Sequence, residues 1–210
     1  MQISQFMARQ YSNPTGWFGK FVTAKLLNRA NRVANNAVYN ALALTPSDRV
    51  LEIGFGGADL LFKIARDSPC NLLQGVEISS TMIDRAQSMM AKDKKLAFTK
   101  LSPGSTANLS FCNGSFDCVC SVNTVYFWND LDKCCFELAR VTSKNGRVVL
   151  GFGTGEKLHQ AGYSEKGFKF HHPDAIQKSM EKAGLDLSNS RRIDRSFKDP
   201  FYVLVFSRHD

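Results

Sequence analysis

A glycine-rich segment and two acidic residues occupy the positions where this sequence is best suited to hold a ligand. Residues 52–58 lead from the end of a predicted buried strand to the following helix and read Glu-Ile-Gly-Phe-Gly-Gly-Ala, and Glu77 ends the next predicted strand. Glycines let a backbone turn sharply and approach a ligand closely, because no Cβ stands in the way. A carboxylate at the place of Glu77 can accept hydrogen bonds from both ribose hydroxyls of an adenosine. The pattern predicts a site for an adenosine-containing ligand.

The same segment argues against cofactors that carry phosphates. A dinucleotide fingerprint requires G-x-G-x-x-G, but counted from Gly54 its last position is Asp59. A carboxylate at that helix start would face a pyrophosphate across the positive end of the helix. The chain also lacks the G-x-x-x-x-G-K-[ST] loop of nucleotide triphosphatases. A cofactor without phosphates, with a sulfonium and an amino acid end, suits the acidic Glu52 better.

Strands that alternate with helices must position these residues. The predicted strands are residues 49–53, 72–77, 96–101, 117–122, 147–152, 186–193 and 201–206, with a turn at Asn145-Gly146 before the fifth. The predicted helices are residues 17–44, 58–66, 80–91, 130–141 and 173–183, and the first is either one long helix or two helices broken near Asn28–Asn31. The alternation predicts an α/β fold with a single doubly wound, mostly parallel seven-stranded sheet. The closing pair lacks a long crossover, so the last strand is expected to be antiparallel.

The first predicted helix is amphipathic. Its core-facing stripe is expected to consist of Phe18, Val22, Leu26, Ala30, Val33, Ala37, Ala41 and Leu44. The length of 210 residues suits one domain with one core. We therefore predict a single domain over residues 1–210, in which residues 1–45 form an N-terminal helical cap or lid and residues 46–210 form the cofactor-binding core.

Four segments together resemble one enzyme family. Residues 50–56 (V-L-E-I-G-F-G) resemble motif I of class I S-adenosylmethionine-dependent methyltransferases, and residues 75–79 (G-V-E-I-S) resemble their second motif. Residues 109–117 resemble the L-P-F-x-x-x-S-F-D segment of the small-molecule branch that includes the quinone-biosynthesis methyltransferases. Residues 139–147 look like the helix-turn-strand that follows the fourth strand in such enzymes. The likeness covers about residues 46–152 and implies methyl transfer from S-adenosylmethionine, with S-adenosylhomocysteine as product.

The resemblance also implies which residues bind the cofactor. Glu52, Gly54 and Gly56 would hold its methionine end, and Glu77 its ribose. The remaining positions would surround adenine or the reacting methyl group, and they are Ile78, Met82, Ser105, Thr106 and Asn123. Gly104-Ser105-Thr106 stands where the family has G-D-A, so a neutral hydroxyl replaces the carboxylate that accepts from the adenine amino group. That hydrogen bond is expected to be weaker.

The acceptor side is predicted from aromatic residues. Tyr126, Phe127 and Trp128 follow the fourth strand, where they could line a pocket or surround a cation, or could instead pack the loop onto the next helix. Residues 10–19 resemble the N-terminal segment that covers the site in small-molecule members. The predicted substrate-binding residues are Tyr11, Phe18, Tyr126 and Trp128.

No catalytic residue is assigned. Methyl transfer from a sulfonium to a thiolate or a free amine needs little acid-base help, and proximity with in-line orientation supplies much of the rate. His171, His172 and Tyr163 stay open as candidate bases. Both histidines precede a predicted helix and fit a surface cap equally well.

The charge distribution keeps a second acceptor class open. The net charge is +8, and no acidic residue precedes Asp48. The basic residues before it are Arg9, Lys20, Lys25, Arg29 and Arg32, and a second cluster comprises Arg191, Arg192, Arg195 and Lys198. Such patches attract nucleic acid, so the alternative is an RNA or ribosome methyltransferase. The irregular spacing of the first cluster favours a solvated surface, so we predict a small or medium-sized acceptor and no specific nucleic acid partner.

The six cysteines are predicted to be reduced and to pack in the core. Their flanks lack zinc-ligand spacing, so no metal is predicted, although the adjacent pair Cys134–Cys135 leaves thiol-assisted methylation of arsenite as a further alternative. The remaining alternative function is a scaffold that binds the cofactor without catalysis. No apolar run is long enough to span a membrane and no secretion signal is evident, so a cytoplasmic location is expected.

Overall fold

The computed structural model describes residues 24–68, 70–155, 168–194 and 199–208, without the side chains of residues 24–31. Its strands are β1 (Arg49–Ile53), β2 (Leu72–Glu77), β3 (Thr99–Pro103), β4 (Phe116–Val122), β5 (Thr142–Gly153), β6 (Asp186–Ile193) and β7 (Phe201–Ser207). Its α-helices are α1 (Ala24–Leu42), α2 (Asp59–Asp67), α3 (Ser80–Met90), α4 (Leu131–Val141) and α5 (Pro173–Lys182). Among the described helices, none combines the length and apolarity needed to cross a membrane.

All seven strands form one sheet in the order β3-β2-β1-β4-β5-β7-β6. The pairs from β3 to β5 are parallel, and β7 runs antiparallel to both of its neighbours. This confirms the predicted mostly parallel α/β sheet with an antiparallel last strand. The strand order reverses between β1 and β4, so the carboxyl ends of these two strands flank the crevice where open α/β sheets bind ligands.

Helices cover both faces of the sheet. Along β1, successive side chains point to opposite faces. Leu51 therefore belongs to the buried cluster that includes Leu138 of α4 and Met180 of α5, whereas Val50 belongs to the cluster that includes Leu61 of α2. Each of these side chains is fully buried, and burial of one such side chain contributes about 1.5–3 kcal/mol.

The described part of α1 packs directly on the sheet. Val38 and Leu42 are fully buried, and a Cβ on Gly151 of β5 would lie 2.4 Å from the Cγ2 of Val38. The predicted stripe was displaced by one position, because Val33 is 57% exposed and Ala34 is buried instead. Residues 1–23, which carry most of the predicted lid, lie outside the described residues.

Two strands begin three or more residues away from their predicted starts. β3 begins at Thr99 because Leu96 lies in a 3-10 turn, Lys94–Leu96, in which Asp93 accepts a hydrogen bond from the Lys95 N–H. β5 begins at Thr142, five residues before its predicted start. The register against β4 passes from Thr142 directly to Arg147, and Asn145 has a φ of 60°. The predicted Asn145-Gly146 turn is therefore a bulge inside a longer strand.

Candidate active site

A cavity of about 610 Å³ opens at the carboxyl ends of β1, β2, β4 and β5. All predicted site residues in the described ranges line it, namely Glu52, Gly54, Gly56, Glu77, Ile78, Met82, Ser105, Thr106, Asn123, Tyr126 and Trp128. Tyr11 and Phe18 lie outside the described residues. We call the lining from Asn35 of α1 and from residues 52–60, 77–82 and 104–107 the cofactor half, after the ligand that the sequence predicts there. The acceptor half is the lining from residues 122–134, the end of β5, Phe168 and Asp199.

The glycine loop of the cofactor half is fixed by backbone hydrogen bonds. The Gly54 N–H donates to the carbonyl of Val76 over 2.7 Å, and the Gly56 N–H donates to Oε2 of Glu77 over 2.8 Å. Gly54 has a φ of 68°, and a Cβ there would lie 2.4 Å from Cγ2 of Thr124. Only glycine fits this close approach of two loops, so the loop after β1 is held against the loop after β4.

Glu77 organises the cofactor half from the end of β2. Its Oε1 accepts hydrogen bonds from the backbone N–H groups of Ile78 and Ser79, over 2.8 and 2.9 Å. Burial raises the pKa of the Glu77 carboxyl above its ordinary value, while these donors and the Gly56 N–H oppose that rise. The carboxylate therefore connects the glycine loop to the start of α3.

Glu52 is a buried carboxyl without a complete set of partners. Its side chain is 3% exposed, and Oε2 has no hydrogen-bond partner among the described residues. Burial and, to a smaller extent, the nearby Glu77 and Asp59 raise its pKa to about 8. A buried acceptor is costly unless something pairs with it, so this group suits a ligand that brings a cation.

Asn35 is a lining residue that the sequence interpretation missed. It lies on α1, is 7% exposed, and its Nδ2 donates to Oδ2 of Asp59 over 3.2 Å. Asn35 could have been recognised as a polar residue beside the buried stripe of α1. It was missed because the predicted stripe was displaced by one position. The structure thus adds an amide from the first helix to the wall that contains Glu52.

The region predicted to hold adenine has one open apolar wall. Ile78 is 62% exposed although it is aliphatic, whereas Met82 is buried at 1%. Ser105 is exposed on the same cavity, and its Oγ accepts a long hydrogen bond of 3.4 Å from the Ala107 N–H. A flat ring placed on Ile78 would cover this exposed side chain.

The acceptor half is aromatic, and Tyr126 holds its segments together. The Tyr126 hydroxyl accepts from the Gly153 N–H over 2.7 Å and lies 3.0 Å from the Gly153 carbonyl and 3.1 Å from Oδ1 of Asn123. Phe168, also missed by the sequence interpretation, is buried against Tyr126 and Phe127. Trp128 is 3% exposed, and its Nε1–H has no acceptor among the described residues. Tyr126 therefore lines the cavity, and its hydroxyl holds the end of β5 next to the loop that follows β4.

The histidine and cysteine candidates have mainly structural positions. His172 is the N-cap of α5, with Nδ1 accepting from the Asp174 N–H over 3.4 Å, as expected for a surface cap. His171 is not among the described residues that line the cavity. Cys134 lines the cavity and Cys135 is buried, and burial raises the pKa of each thiol to about 12. Both thiols are protonated at neutral pH, which disfavours thiolate chemistry. Tyr163 lies outside the described residues.

Comparison with known proteins decides the family. A profile of the methyltransferase domain family matches residues 51–150, which span the glycine loop, Glu77 and the loop after β4. The uncharacterized methyltransferase YdaC of Bacillus subtilis (strain 168) is 25% identical over 129 residues, covering 61% of this chain and 69% of that protein. This chain is a class I S-adenosylmethionine-dependent methyltransferase.

Solved structures share the fold of this methyltransferase at low identity. A methyltransferase in complex with the Haloferax volcanii Trm112 methyltransferase activator superposes with a TM-score of 0.80 at 16% identity, covering 92% of this chain and 96% of that one. The geranyl diphosphate C-methyltransferase of Streptomyces coelicolor A3(2), solved with Mg²⁺, geranyl diphosphate and S-adenosylhomocysteine, gives a TM-score of 0.74 at 12% identity. That match covers 86% of this chain and 78% of the other. The assignment to the branch with the quinone-biosynthesis enzymes stays a prediction.

Proposed function

We propose that the methyltransferase binds S-adenosylmethionine in the cofactor half and passes its methyl group to a small acceptor in the acceptor half. The observation that carries the first part is Glu52, whose buried Oε2 lacks a partner among the described residues. The α-ammonium of the cofactor is the cation that such a carboxyl requires. When bound, the cofactor supplies a methyl group on a sulfonium, and the residues of the chain bind, orient and exclude water.

The other predicted residues fit the remaining parts of the cofactor. Glu77 retains acceptor capacity for ribose hydroxyls beside its three backbone donors. Ile78 and Met82 would flank adenine, and Ser105 and Thr106 would lie at its edge. Asn123, with a φ of 55° at the end of β4, would lie where cofactor and acceptor meet.

Asn35 completes the methionine end of this proposal. Three carboxyl groups, Glu52, Asp59 and Glu77, line the cofactor half, and they suit the ammonium of the cofactor but not its α-carboxylate. The Asn35 Nδ2 carries two hydrogens and donates one to Asp59. We propose that the second hydrogen is donated to the α-carboxylate.

The cofactor assignment is tested by calorimetry with S-adenosylhomocysteine. The wild-type protein should bind in the micromolar range, about −8 kcal/mol. Glu77→Ala should weaken binding by about ten- to one-hundred-fold, because a charge-assisted hydrogen bond contributes roughly 1.5–3 kcal/mol. Asp186→Ala, which removes an exposed carboxylate at the start of β6, should leave affinity unchanged. Absence of binding by the wild type, or tight binding of NADH instead, would overturn the assignment.

A small acceptor is supported by the sign of the charge in the cavity. Five acidic side chains and one basic side chain are found on the described lining, although the whole chain carries +8. The acidic residues are Glu52, Asp59, Glu77, Asp130 and Asp199, and the basic residue is Lys133. Acidic groups outnumber the one basic group even when Glu52 is protonated, so this lining repels a phosphate backbone. The enclosed aromatic acceptor half also suits a compact molecule.

The RNA alternative is favoured by a different surface. Arg191 and Arg192 are exposed on β6, the outermost strand, and the carboxyl end of β6 is on the same side of the sheet as the cavity. One neighbour in fold is a methyltransferase bound to the Trm112 activator. These observations support an acceptor that lies across the sheet edge, but they do not involve the cavity lining.

Radiolabelled cofactor distinguishes the two acceptor classes. We expect label to enter a low-molecular-weight product when the enzyme is incubated with a metabolite extract. We expect RNA binding to be weak and non-specific at physiological salt, roughly 0.1 mM to 1 µM. Substitution of Lys25 and Arg29 by Gln should leave labelling of the small product nearly unchanged. Label in a defined RNA, lost with these substitutions, would establish the alternative instead.

The proposal extends to the whole chain. We propose that residues 1–210 form one domain in which residues 1–45 cover a cofactor-binding core of residues 46–210. The packing of Val38 and Leu42 on the sheet supports this arrangement. A reducing, cytoplasm-like location is supported by six free thiols, four of them buried.

A further inference from the structure

An aromatic wall forms one side of the acceptor half. Tyr126, Phe127, Trp128 and Phe168 all line the cavity. The ring centroids of Phe127 and Phe168 lie 4.9 Å apart in an edge arrangement, and those of Tyr126 and Phe168 lie 6.5 Å apart. Rings that pack on one another have fixed orientations, so the wall presents a preformed apolar surface. Aromatic faces also carry partial negative charge and attract cations.

A carboxylate lies on the lining directly after this wall. Asp130 is exposed, lines the cavity, and is the N-cap of α4, where its Oδ1 accepts from the Lys133 backbone N–H over 3.0 Å. The Lys133 ammonium forms no ion pair within the described residues. Because Asp130 already occupies the positive end of α4, that helix end offers no free site to an anionic acceptor.

We propose that the acceptor is a small organic amine that carries a flat apolar group. This inference rests on the proposed function, since it concerns the acceptor half of the same cavity. The flat group packs on the aromatic wall, and Asp130 attracts the protonated amine to the cavity. A carboxylate or phosphate on the acceptor would be repelled by Asp130 and would find a single basic residue, Lys133, on the described lining.

The chemistry of such an acceptor balances without a dedicated base. The bound ammonium first loses a proton to water, and the neutral nitrogen then attacks the methyl carbon. A C–N bond forms as the C–S bond breaks, and the electron pair of that bond stays on sulfur, which becomes the thioether of S-adenosylhomocysteine. The methylated nitrogen holds the resulting positive charge, and a primary or secondary amine then releases one proton to solvent to become neutral.

Three probes that share one ring test the proposal. Benzylamine, benzyl alcohol and benzoate present a cationic, a neutral and an anionic group at pH 7. Each is titrated by NMR against the full-length wild-type protein saturated with S-adenosylhomocysteine. We expect benzylamine to bind about three- to tenfold more tightly than benzyl alcohol, and benzoate to bind most weakly. Butylamine, which lacks the ring, should bind more weakly than benzylamine.

A substitution that preserves the helix cap assigns the preference to Asp130. Asn is as good an N-cap as Asp, so Asp130→Asn should keep α4 intact while removing the charge. We expect it to reduce benzylamine binding to the level of benzyl alcohol. Asp84→Asn, at an exposed position on α3 away from the cavity, is the matched control and should change nothing.

The outcomes separate this inference from the proposed function. Failure of the wild type to bind S-adenosylhomocysteine would overturn the proposed function itself. If that product binds normally, three results would overturn the acceptor class alone. These are tighter binding of benzoate than of benzylamine, no binding of any probe, and an unchanged preference for benzylamine in Asp130→Asn.

Discussion

In the cofactor half of the cavity, the lining is fixed mainly by backbone hydrogen bonds, whereas in the acceptor half it is fixed by packed aromatic rings. Gly54 and Gly56 donate to groups at the end of the neighbouring strand. Tyr126 instead uses its side chain, with its hydroxyl bonded to the end of β5 and its ring packed on Phe168. The comparison indicates that the residues of the cofactor half come in short motifs that are visible in the sequence, while the acceptor half depends on side chains that tertiary packing brings together.

The largest expected effect concerns the unpaired carboxyl of the cofactor half. Glu52→Gln should weaken S-adenosylhomocysteine binding about 100-fold, because the ammonium of the ligand loses its charged partner. Calorimetry at pH 8 measures this change. Glu181→Gln, exposed on α5, is the control and should bind like the wild type. Equal affinities for the wild type and Glu52→Gln would remove Glu52 from the cofactor site.

The same carboxyl should make the stability of the ligand-free enzyme depend on pH. Its pKa is about 8 in the folded protein, whereas an ordinary glutamate, as in the unfolded chain, has a pKa of 4.5. Between these two pH values the folded protein therefore holds the proton more tightly than the unfolded chain does. The stability that this proton binding contributes is present below pH 4.5 and is lost as the pH rises to about 8.

Comparison with Glu52→Gln isolates this contribution. Between pH 5 and pH 9, the wild type should lose stability relative to the variant by an amount on the order of a few kcal/mol, since a tenfold difference in proton affinity corresponds to about 1.4 kcal/mol. Thermal unfolding of both proteins at pH 5, 7 and 9 measures the difference. Parallel curves would show that Glu52 keeps an ordinary pKa in the folded state.

A smaller effect distinguishes the amino acid end of the cofactor from its nucleoside. Asn35→Ala should weaken S-adenosylhomocysteine binding about five- to tenfold, because a hydrogen bond to the α-carboxylate is lost. Binding of 5′-methylthioadenosine, which lacks the amino acid, should not change. Asn36→Ala is the matched control, since Asn36 is exposed next to it on α1. An equal loss for both ligands would mean that Asn35 acts only through the fold.

The smallest effect lies in the acceptor half. Tyr126→Phe should reduce kcat about three- to fivefold and stability by about 1–2 kcal/mol, because the buried Gly153 N–H loses its acceptor. The affinity for S-adenosylhomocysteine should stay the same. Tyr39→Phe removes a hydroxyl that contacts Ser68 away from the cavity, and it should change stability without changing kcat. If Tyr126→Phe impairs cofactor binding as much as turnover, the two halves are not independent.

Local patterns predicted the cofactor half well. The bounds of β1 and β2 agree with the predictions to the residue, and every predicted cofactor residue lines one cavity. Buried parallel strands read as short apolar runs that end at glycine or acidic residues, so both the strand and its loop are visible in a few consecutive residues. The apolar stripe of α1 was predicted one position away from its true place, and for this reason Asn35 was not recognised as a lining residue.

The sequence by itself determined the family, the sheet and most residues that line the cofactor half, because those features depend on strand periodicity and on backbone conformations that few residue types adopt. Tertiary structure alone decided that Asn35 and Phe168 join the cavity, that Glu52 lacks a partner among the described residues, and that the Tyr126 hydroxyl bonds to β5. These features arise between residues separated by tens of positions. Their contacts depend on how helices and loops pack on the sheet, which no local pattern of residues specifies.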